Sequence, residues 1–549
     1  MQHIFLGSTW ALKLLDSSAK FPSSILMGNL LNFGNYDECL SVTVHEEWGA
    51  FVGQHCVVSI PNIIDVKTKN ISSFYVPISG IPTGWSVCLP SSCSAQDLEN
   101  MLRAVTPLNI TVSPFLCHNR KQQSSFNVLD WTAIVILAIL AITCIIGTIY
   151  TLFVENPGTG KKQCWLTMFS WYKNGSNLLT TKSNPDSISV LHGVRVFSII
   201  WVVMGHSYEF HSYLPQINYL YGLETIRKWR LLYITNAVLA VDTCFVLSGL
   251  LLSYIFMKTM DNGHQFNLPM FYIHRFIRIM PVLVMIVLLE ASLMSKIGSG
   301  PLWELGVVNT LQKNCKKYWW STLLFVQNYV NVENMCIPAS WYLAVDMQMY
   351  WISPIFLLAL HKKPKFGISL LTAAVFMGVA VAFQQAYFFE DLASGVPTNG
   401  KINDRYYQTH SRFVPWVIGL TCGYLLYRTT EWRKKVALHK AKLSKYILLS
   451  GWASSIIIFI GVIHWVYHFE QINYVYNAID SSLYIALARP LWASAVSWVI
   501  FACSSGYGDT LISWLHGSDS TGVNCYDINS RSSYSWTGED SLQESPEFF

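Results

Sequence analysis

The chain has 549 residues, of which 52% are hydrophobic and only 13% are charged. Soluble globular domains carry about 25% charged residues, so this composition excludes an ordinary soluble protein. The net charge of +5 is small for this length, and the absence of a basic stripe or a nucleic-acid-binding motif argues against a nucleic-acid partner. The apolar residues are gathered in long runs. The sequence therefore predicts an all-α polytopic membrane protein.

Residues 1–129 form a separate predicted domain, because they are mixed in polarity and rich in turn residues. Clustered cysteines beside glycosylation sequons are typical of an extracellular or lumenal domain that disulfides hold together. The candidate disulfide cysteines are Cys39, Cys56, Cys88, Cys93 and Cys117, and the candidate glycosylation sites are Asn70 and Asn109. Because five is an odd number, one cysteine pairs outside this set or lacks its partner. The alternative is a set of reduced cysteines beside chance sequons.

Nine apolar runs follow, and each is close to the ~20 residues that cross ~30 Å of hydrocarbon. The predicted spans are residues 131–154, 191–209, 236–257, 276–294, 341–360, 366–388, 412–428, 446–467 and 482–503. We assign residues 130–190 to the first membrane helix and a cytoplasmic linker. Residues 191–510 then form the main membrane domain.

The loops between the spans predict the orientation of the chain. Basic residues favour the cytoplasmic side, and two basic segments, 361–365 and 428–445, lie on the same predicted side. The loop 468–481 contains no Lys or Arg. This arrangement places the cysteine-containing N-terminal domain outside the cytoplasm, and it places Cys315 and Cys336 on the oxidising side, where they can pair. The sequence does not distinguish the plasma membrane from the endoplasmic reticulum.

Ionisable residues inside the spans are candidates for function, because each costs roughly 2.5–3.5 kcal/mol to insert. Arg195 and His206 are eleven positions apart and therefore share one helix face. Asp242 and Asp346 lie in the external halves of their spans. Each residue also has an ordinary interpretation: a snorkelling arginine, a packed histidine, or an aspartate that only pairs with a basic residue.

The cytoplasmic segment FYIHRFIRIMP presents a pair of arginines, Arg275 and Arg278, three positions apart. Such neighbours on a helix surface suit phosphate groups, which guanidinium groups bind in a bidentate manner. The alternative is ordinary basic flanking of a span or contact with lipid head groups. No metal-binding or cofactor-binding motif is present, so we predict no metal site and no bound cofactor.

Four stretches together resemble the acyltransferase 3 family of membrane enzymes, namely LHGVRVFSIIWVVMGHS, VDTCFVLSGLLLSY, FYIHRFIRIMPVL and SWYLAVDMQMYWISP. The N-terminal stretches WALKLLDSSAKFPSSILMGNLLNFGNYDECLSV and WSVCLPSSCS resemble the animal nose-resistant-to-fluoxetine branch of that family. The resemblance covers most of residues 9–510. Any one motif is weak, but four in this order after such a domain are specific.

The resemblance implies transfer of an acyl group from cytoplasmic acyl-CoA to a lipid or a small hydroxylated acceptor, with membrane lipids as the surroundings. It implies that His206 is the catalytic base, with Asp242 and Asp346 as the acidic residues of the catalytic site. It implies that Arg195, Arg275 and Arg278 bind the donor. Arg195 and His206 are separated by roughly 16 Å of helix rise, so they must act on different groups.

Both ends of the chain depart from the expected pattern. No signal peptide is visible, although translocation of such a domain needs one, and we expect the chain to begin inside a longer protein. Residues 511–549 form a polar, Ser-rich and acidic tail that predicts disorder where the family continues with further helices. Three hypotheses therefore stay open: an O-acyltransferase, a non-enzymatic lipid or drug transport protein, and an inactive scaffold.

Overall fold

The structure, a computed structural model, describes the chain from residue 7 to residue 508 with gaps. The gaps are residues 48, 60–83, 107–109, 121–124, 155–164, 181–187, 213, 392, 394–403, 437–443 and 472–473. The predicted glycosylation sites Asn70 and Asn109 and the predicted tail, residues 511–549, lie outside the described residues.

The N-terminal domain is built on a five-stranded sheet, which the sequence interpretation did not predict. Its strands are β1 (Leu31–Asn32), β2 (Thr43–Glu46), β3 (Gly49–Ser59), β4 (Gly84–Pro90) and β5 (Thr111–Asn119). Strand β3 pairs antiparallel with β2, β4 and β5, while β1 runs parallel to β4. Three helices accompany the sheet, α1 (Thr9–Ser17), α2 (Tyr36–Ser41) and α3 (Ala95–Val105). Helix α3 begins at a capping box between Ser94 and Asp97.

Disulfides tie the helices and strands of this domain together. Cys39 in α2 is bonded to Cys88 in β4, and Cys56 in β3 is bonded to Cys117 in β5. Cys93 has no disulfide partner among the described residues. Four of the five predicted cysteines thus form two pairs in a domain whose sheet is small, which is a common way to stabilise a limited core.

Nine long helices follow within the described residues. They are α4 (Val128–Phe153), α5 (Val190–Ser212), α6 (Val238–Asp261), α7 (Leu268–Ser292), α8 (Trp341–Lys362), α9 (Pro364–Phe388), α10 (Thr409–Val436), α11 (Lys445–Phe469) and α12 (Ala478–Ser504). Eight of them are long and apolar enough to cross a membrane, and α10 is not among these eight. Every predicted span coincides with one of the nine helices.

Helix α10 lies in the interior of the bundle, packed tightly against α6. Its glycines make this possible: a Cβ atom at Gly419 or Gly423 would overlap the carbonyl oxygen of Val246 or Leu250 in α6. Small residues at such positions let two helix backbones approach closely, as in other membrane bundles. Trp416 of α10 is also fully buried. The glycines therefore fix the positions of the polar side chains that α6 and α10 carry.

The connections between the long helices contain short helical segments. These are Trp171–Leu179, Tyr219–Ile226, Leu232–Thr235, Met294–Ile297, a π-helix at Trp303–Gln312, Lys313–Leu323 and Gln327–Val330. The N-terminal domain rests on two of these connections: Gly28 packs against Tyr219, and the Lys296 ammonium group lies 5.3 Å from the ring centre of Phe126. We call this end of the bundle, where α5 and α7 end and α6 and α8 begin, the N-domain end.

A third disulfide, Cys315–Cys336, lies in the connection between α7 and α8. All three disulfides of the described residues are therefore at the N-domain end. The lysines where α8 ends and α9 begins, Lys362, Lys363 and Lys365, lie at the opposite end.

Candidate active site

His206 lies near the end of α5 and is held by a carboxylate from the same helix. Its Nδ1 atom is 3.1 Å from Oε2 of Glu209, three residues later. With Nδ1–H donating to this carboxylate, the lone pair of the neutral imidazole is on Nε2. The side chain is 55% exposed, so a reacting group has access to it. The hydrogen bond to Glu209 therefore fixes the tautomer of His206 and leaves Nε2 as the proton acceptor.

The sequence interpretation assigned Asp242 and Asp346 to the same site as His206, and the structure places both aspartates against arginines instead. Glu209 supplies the carboxylate beside His206. The sequence contained a signal for it, because side chains three positions apart on a helix are neighbours. The interpretation missed Glu209 because it looked for the partner on other helices.

Asp242 of α6 is fully buried, and two arginines from other helices share its charge. Nη1 of Arg412 in α10 donates to both carboxylate oxygens at 3.0 Å. Nε of Arg489 in α12 is 3.8 Å from Oδ2. Two guanidinium groups and one carboxylate leave an excess of one positive charge in the interior, where uncompensated charge is costly.

Aromatic rings enclose Arg412, whose side chain is fully buried. The Tyr406 ring centre is 4.3 Å from its guanidinium carbon and that of Trp341 is 5.3 Å away, which are cation–π distances. Nε donates to the Tyr406 carbonyl at 3.3 Å, and Nη2 is buried without a hydrogen-bond partner among the described residues. Arg412 was missed from the sequence, because it looked like a basic residue at the edge of a span.

Asp346 of α8 is the centre of a second polar cluster. It accepts hydrogen bonds from Arg275 of α7 and from the Ser248 hydroxyl of α6. The guanidinium of Arg275 also lies 4.3 Å from the ring centre of Tyr350, and Phe271 stacks on that ring at 4.3 Å. Arg275 reaches this depth because it lies seven residues, or about 10 Å of rise, from the start of α7.

Arg195 of α5 is close to this second cluster. It lies within electrostatic range of Cys244 and Tyr342, and both of these are also within range of Asp346. The structure thus brings together Arg195 and Arg275, two of the three arginines predicted to bind the donor. Arg278 is exposed and has no polar partner among the described residues. Asp346, which was predicted to lie with His206, belongs instead with these arginines.

The two clusters are joined through α6, which carries Asp242 and Ser248 six positions apart. Glu209 lies within electrostatic range of Tyr406, whose ring covers Arg412, so the His206–Glu209 pair is on the Asp242 side. The arrangement therefore places a proton acceptor, His206, on the side of the Asp242 cluster, and two cationic groups, Arg195 and Arg275, on the side of the Asp346 cluster. No group of three or more potential metal ligands comes together within the described residues.

Comparison with known families identifies both parts of the chain. A family model described as the acyltransferase domain matches residues 188–516, which include both polar clusters. A model described as the N-terminal domain of the nose resistant-to-fluoxetine protein matches residues 1–102. Together the two models cover strands β1 to β4 of the N-terminal domain and the helices from α5 to α12.

The relatives that match the chain are distant in sequence. The "Nose resistant to fluoxetine protein 6" of Caenorhabditis elegans is 26% identical over 92% of this chain and 69% of its own length. The "Regulator of hypoxia-inducible factor 1" of the same organism is 25% identical, over 45% of this chain and 52% of its own. A Staphylococcus aureus protein named "Putative O-acetyltransferase" is 22% identical, over 48% of this chain and 43% of its own. No solved structure matches the chain.

Proposed function

Since the chain belongs to the acyltransferase-domain family, we propose that it is an integral membrane O-acyltransferase. It transfers an acyl group from acyl-CoA to a hydroxyl group of a lipid or a small acceptor, with His206 as the general base. The observation that carries this proposal is the exposed imidazole of His206, which Glu209 holds at Nδ1. The name of the bacterial relative, an O-acetyltransferase, favours the same chemistry.

The proposed reaction begins with a hydroxyl group of the acceptor next to Nε2 of His206. The imidazole removes the hydroxyl proton as the oxygen attacks the thioester carbonyl carbon. The new C–O bond forms, the C–S bond breaks, and the CoA thiolate leaves and takes up the proton from the imidazolium. Glu209 stabilises the positive charge on the ring between these steps. General base catalysis of this kind contributes about 10²–10⁴-fold to the rate.

The second part of the proposal concerns the arginines that bind the acyl donor. We propose that Arg195, Arg275 and Arg278 bind the phosphate groups of acyl-CoA. Arg275 is compatible with this role although it is paired with Asp346, because its Nε atom is buried without a partner and a guanidinium group has five donors. An elongated carrier is required, since Arg195 and His206 are separated by roughly 16 Å of helix rise.

We propose that the N-domain end faces the extracellular space or the lumen, in the plasma membrane or the endoplasmic reticulum. All three disulfides of the described residues are at this end, and disulfides persist in oxidising compartments. The lysines between α8 and α9 are at the opposite end, as expected for a cytoplasmic loop. The donor then enters from the cytoplasm, while the acceptor hydroxyl reacts closer to the other face.

The test is acyl transfer from radiolabelled acyl-CoA by the full chain in lipid nanodiscs. We expect His206→Ala to lower kcat by about 10²–10⁴-fold. Glu209→Gln should lower kcat less and alter its pH profile, because the amide no longer stabilises the imidazolium. The matched control is His211→Ala, an exposed histidine on the same helix, which should leave transfer unchanged.

Unchanged transfer in His206→Ala protein would overturn the proposal, and retained uptake of a drug or lipid without any transfer would favour a transport function.

A further inference from the structure

A short segment of the chain packs against the last two turns of α4. Residues Trp165–Phe169 form a 3-10 helix and Trp171–Leu179 form a short α-helix, and we call residues 165–179 the α4-side segment. Its backbone touches that of α4, because a Cβ atom at Gly147 would overlap the carbonyl oxygen of Leu166. Since α4 starts at the N-domain end, its last turns and this segment lie at the opposite end of the molecule.

The length of α4 gives the depth of this contact in a bilayer. Its 26 residues rise about 39 Å, whereas the hydrocarbon core is about 30 Å thick. A helix centred in the bilayer therefore extends about 4–5 Å beyond the hydrocarbon at each end. Gly147 lies about 9 Å before the last residue of α4. The contact with Leu166 is thus about 4–5 Å inside the hydrocarbon, next to the head groups.

The α4-side segment exposes large apolar side chains on one face. Six of them are 61–84% exposed, namely Trp165, Met168, Trp171, Tyr172, Leu178 and Leu179. At about 100° per residue, the four in the short α-helix fall within an arc of about 120°, and Lys173 and Asn177 lie on the opposite side. Such a face is unfavourable in water, because burial of one large apolar side chain stabilises by about 1.5–3 kcal/mol. The segment therefore suits surroundings that are apolar on one side only.

The backbone at the junction of the two short helices has hydrogen-bond partners within the protein. The Trp171 N–H group donates to Oγ1 of Thr148 in α4 at 3.0 Å. The Asn174 side chain donates to the Met168 carbonyl at 2.8 Å, and Ser170, between the helices, is fully buried. Irregular backbone close to hydrocarbon requires such partners, because water is not there to replace them. These contacts fit a segment that lies against lipid at this depth.

We propose that the α4-side segment lies flat in the membrane leaflet opposite the N-domain end, and that its partner is the phospholipid surface. Its apolar face contacts the acyl chains next to the head groups, while Lys173 and Asn177 face water. Trp and Tyr are the residues enriched at this boundary, and amphipathic helices with such side chains bind there. The proposal does not depend on the proposed transfer reaction.

An apolar surface of α4 adjoins the segment and identifies lipid, rather than another protein, as its partner. Ile149, Leu152 and Phe153 in the last turns of α4 are 52–82% exposed. Their surface faces lipid in any helix that crosses a membrane by itself, and the apolar face of the segment continues it. Gly147 is one of only three buried residues of α4. The segment therefore anchors the end of α4 that is far from the N-terminal domain.

Hydroxyl-radical footprinting of the full, unmodified chain in phosphatidylcholine nanodiscs tests the proposal. Radicals in water oxidise accessible methionine side chains. The matched pair is Met168 of the segment, which is 72% exposed, and Met101 of α3, which is 65% exposed. We expect Met168 to be oxidised at least about fivefold more slowly than Met101, because lipid covers it, and both to react at similar rates in urea-unfolded protein. Equal rates in the nanodiscs would overturn the proposal.

Photo-crosslinking then identifies what covers the apolar face. A p-benzoylphenylalanine residue takes the place of Leu179 or, as the matched control, of Asn177; both positions are exposed, and they point about 160° apart. With a radiolabelled phospholipid in the nanodiscs, we expect at least about fivefold more label through position 179. Equal labelling through the two positions would contradict the proposal, as would an adduct between position 179 and another polypeptide in cell membranes. Neither readout requires acyl transfer, so failure here is distinguishable from failure of the proposed enzymatic function.

Discussion

At the scale of single residues, the ionic partners decide what each charged side chain of the site can do. Asp242 is enclosed by two arginines, whereas Glu209 is the carboxylate within hydrogen-bond distance of the His206 imidazole. Arg275 shares Asp346 with the Ser248 hydroxyl. The candidate base and the candidate donor site therefore have different acidic partners.

The Asp242 cluster leads to a prediction about stability. Asp242→Asn removes the carboxylate that the two arginines share, and it leaves the fully buried Arg412 and the partly buried Arg489 without this compensation. Breaking a buried ion pair from one side costs about 3–5 kcal/mol, so we expect a marked loss of thermal stability in detergent. The additional change Arg412→Met should recover part of it. Asp261→Asn is the matched control at the far end of α6, where the carboxylate is 44% exposed and its pairs contribute about 0–1 kcal/mol. Equal losses in the two single variants would contradict this prediction.

At the scale of secondary structure, the contact between α6 and α10 positions both polar clusters. Asp242 and Ser248 are on α6, and Arg412 is on α10, so the separation of these helices sets the distances within the site. The glycines at positions 419 and 423 permit backbone contact that no other residue type allows without displacement.

We predict that Gly423→Ala destabilises the bundle and weakens the Asp242–Arg412 pair. The added methyl group would overlap the Leu250 carbonyl, and overpacking of this kind costs about 1–3 kcal/mol. The measurement is the apparent Tm together with acyl transfer, both of which should fall. Gly461→Ala in α11, where nothing lies within 4 Å of the new Cβ atom, should change neither. A Gly423→Ala protein with unaltered Tm and transfer would show that α6 and α10 can move apart freely.

The helices themselves were largely predictable, because long apolar runs are a strong signal and every predicted span coincides with a helix. The ends were less predictable. Residues 258–275 were assigned to a cytoplasmic segment between two predicted spans, yet α7 begins at Leu268 with Asn267 as its cap and Pro269 in its first turn. Arg412 was not identified from the sequence, because nothing in the sequence indicates that an arginine near the end of a span pairs with a carboxylate 170 residues away.

The sheet of the N-terminal domain was not predicted. Its strands are short or pair with segments distant in sequence: β3, which ends at Ser59, pairs with β4, which begins at Gly84, and with β5, which follows α3. The cysteine pairing was likewise open in the sequence, because spacing does not determine which of five cysteines meet. Only the three-dimensional register places Cys56 opposite Cys117.

At the scale of the whole molecule, the N-terminal domain and the helix bundle should respond differently to acid. His55 in β3 and His118 in β5 face each other across the sheet, and Nδ1 of His55 and Nε2 of His118 are buried without partners. Burial lowers the pKa of both histidines below 6.5, and their proximity lowers that of His118 further. The unfolded domain therefore binds more protons than the folded domain below this pH, and the free energy of unfolding falls as the pH falls.

We predict that the N-terminal domain opens to protease or hydrogen exchange as the pH is lowered from 7 to 5, before the bundle does. Each histidine contributes a loss of up to about 1.4 kcal/mol per pH unit. Tyr36, whose ring centre is 5.0 Å from that of His55, stays neutral in this range because burial raises its pKa above 10.0. His118→Gln should reduce the acid sensitivity, whereas His45→Gln, at an exposed position of β2, should leave it unchanged. Identical acid sensitivity in all three proteins would rule out this pair as the cause.

Helix α6 connects the two halves of the candidate site more rigidly than a loop would. Asp242 and Ser248 are six residues apart, so they point in directions about 120° apart around the helix axis, one toward α10 and α12 and the other toward α7 and α8. A screw motion of α6 by a single residue would shift it by about 1.5 Å and turn it by about 100°. It would separate Asp242 from its arginines and the Ser248 hydroxyl from Asp346 at the same time. Such a motion of α6 would therefore break the ion pairs of Asp242 and remove one hydrogen bond from Asp346, while the contact between Arg275 and Asp346 joins α7 to α8 without passing through α6.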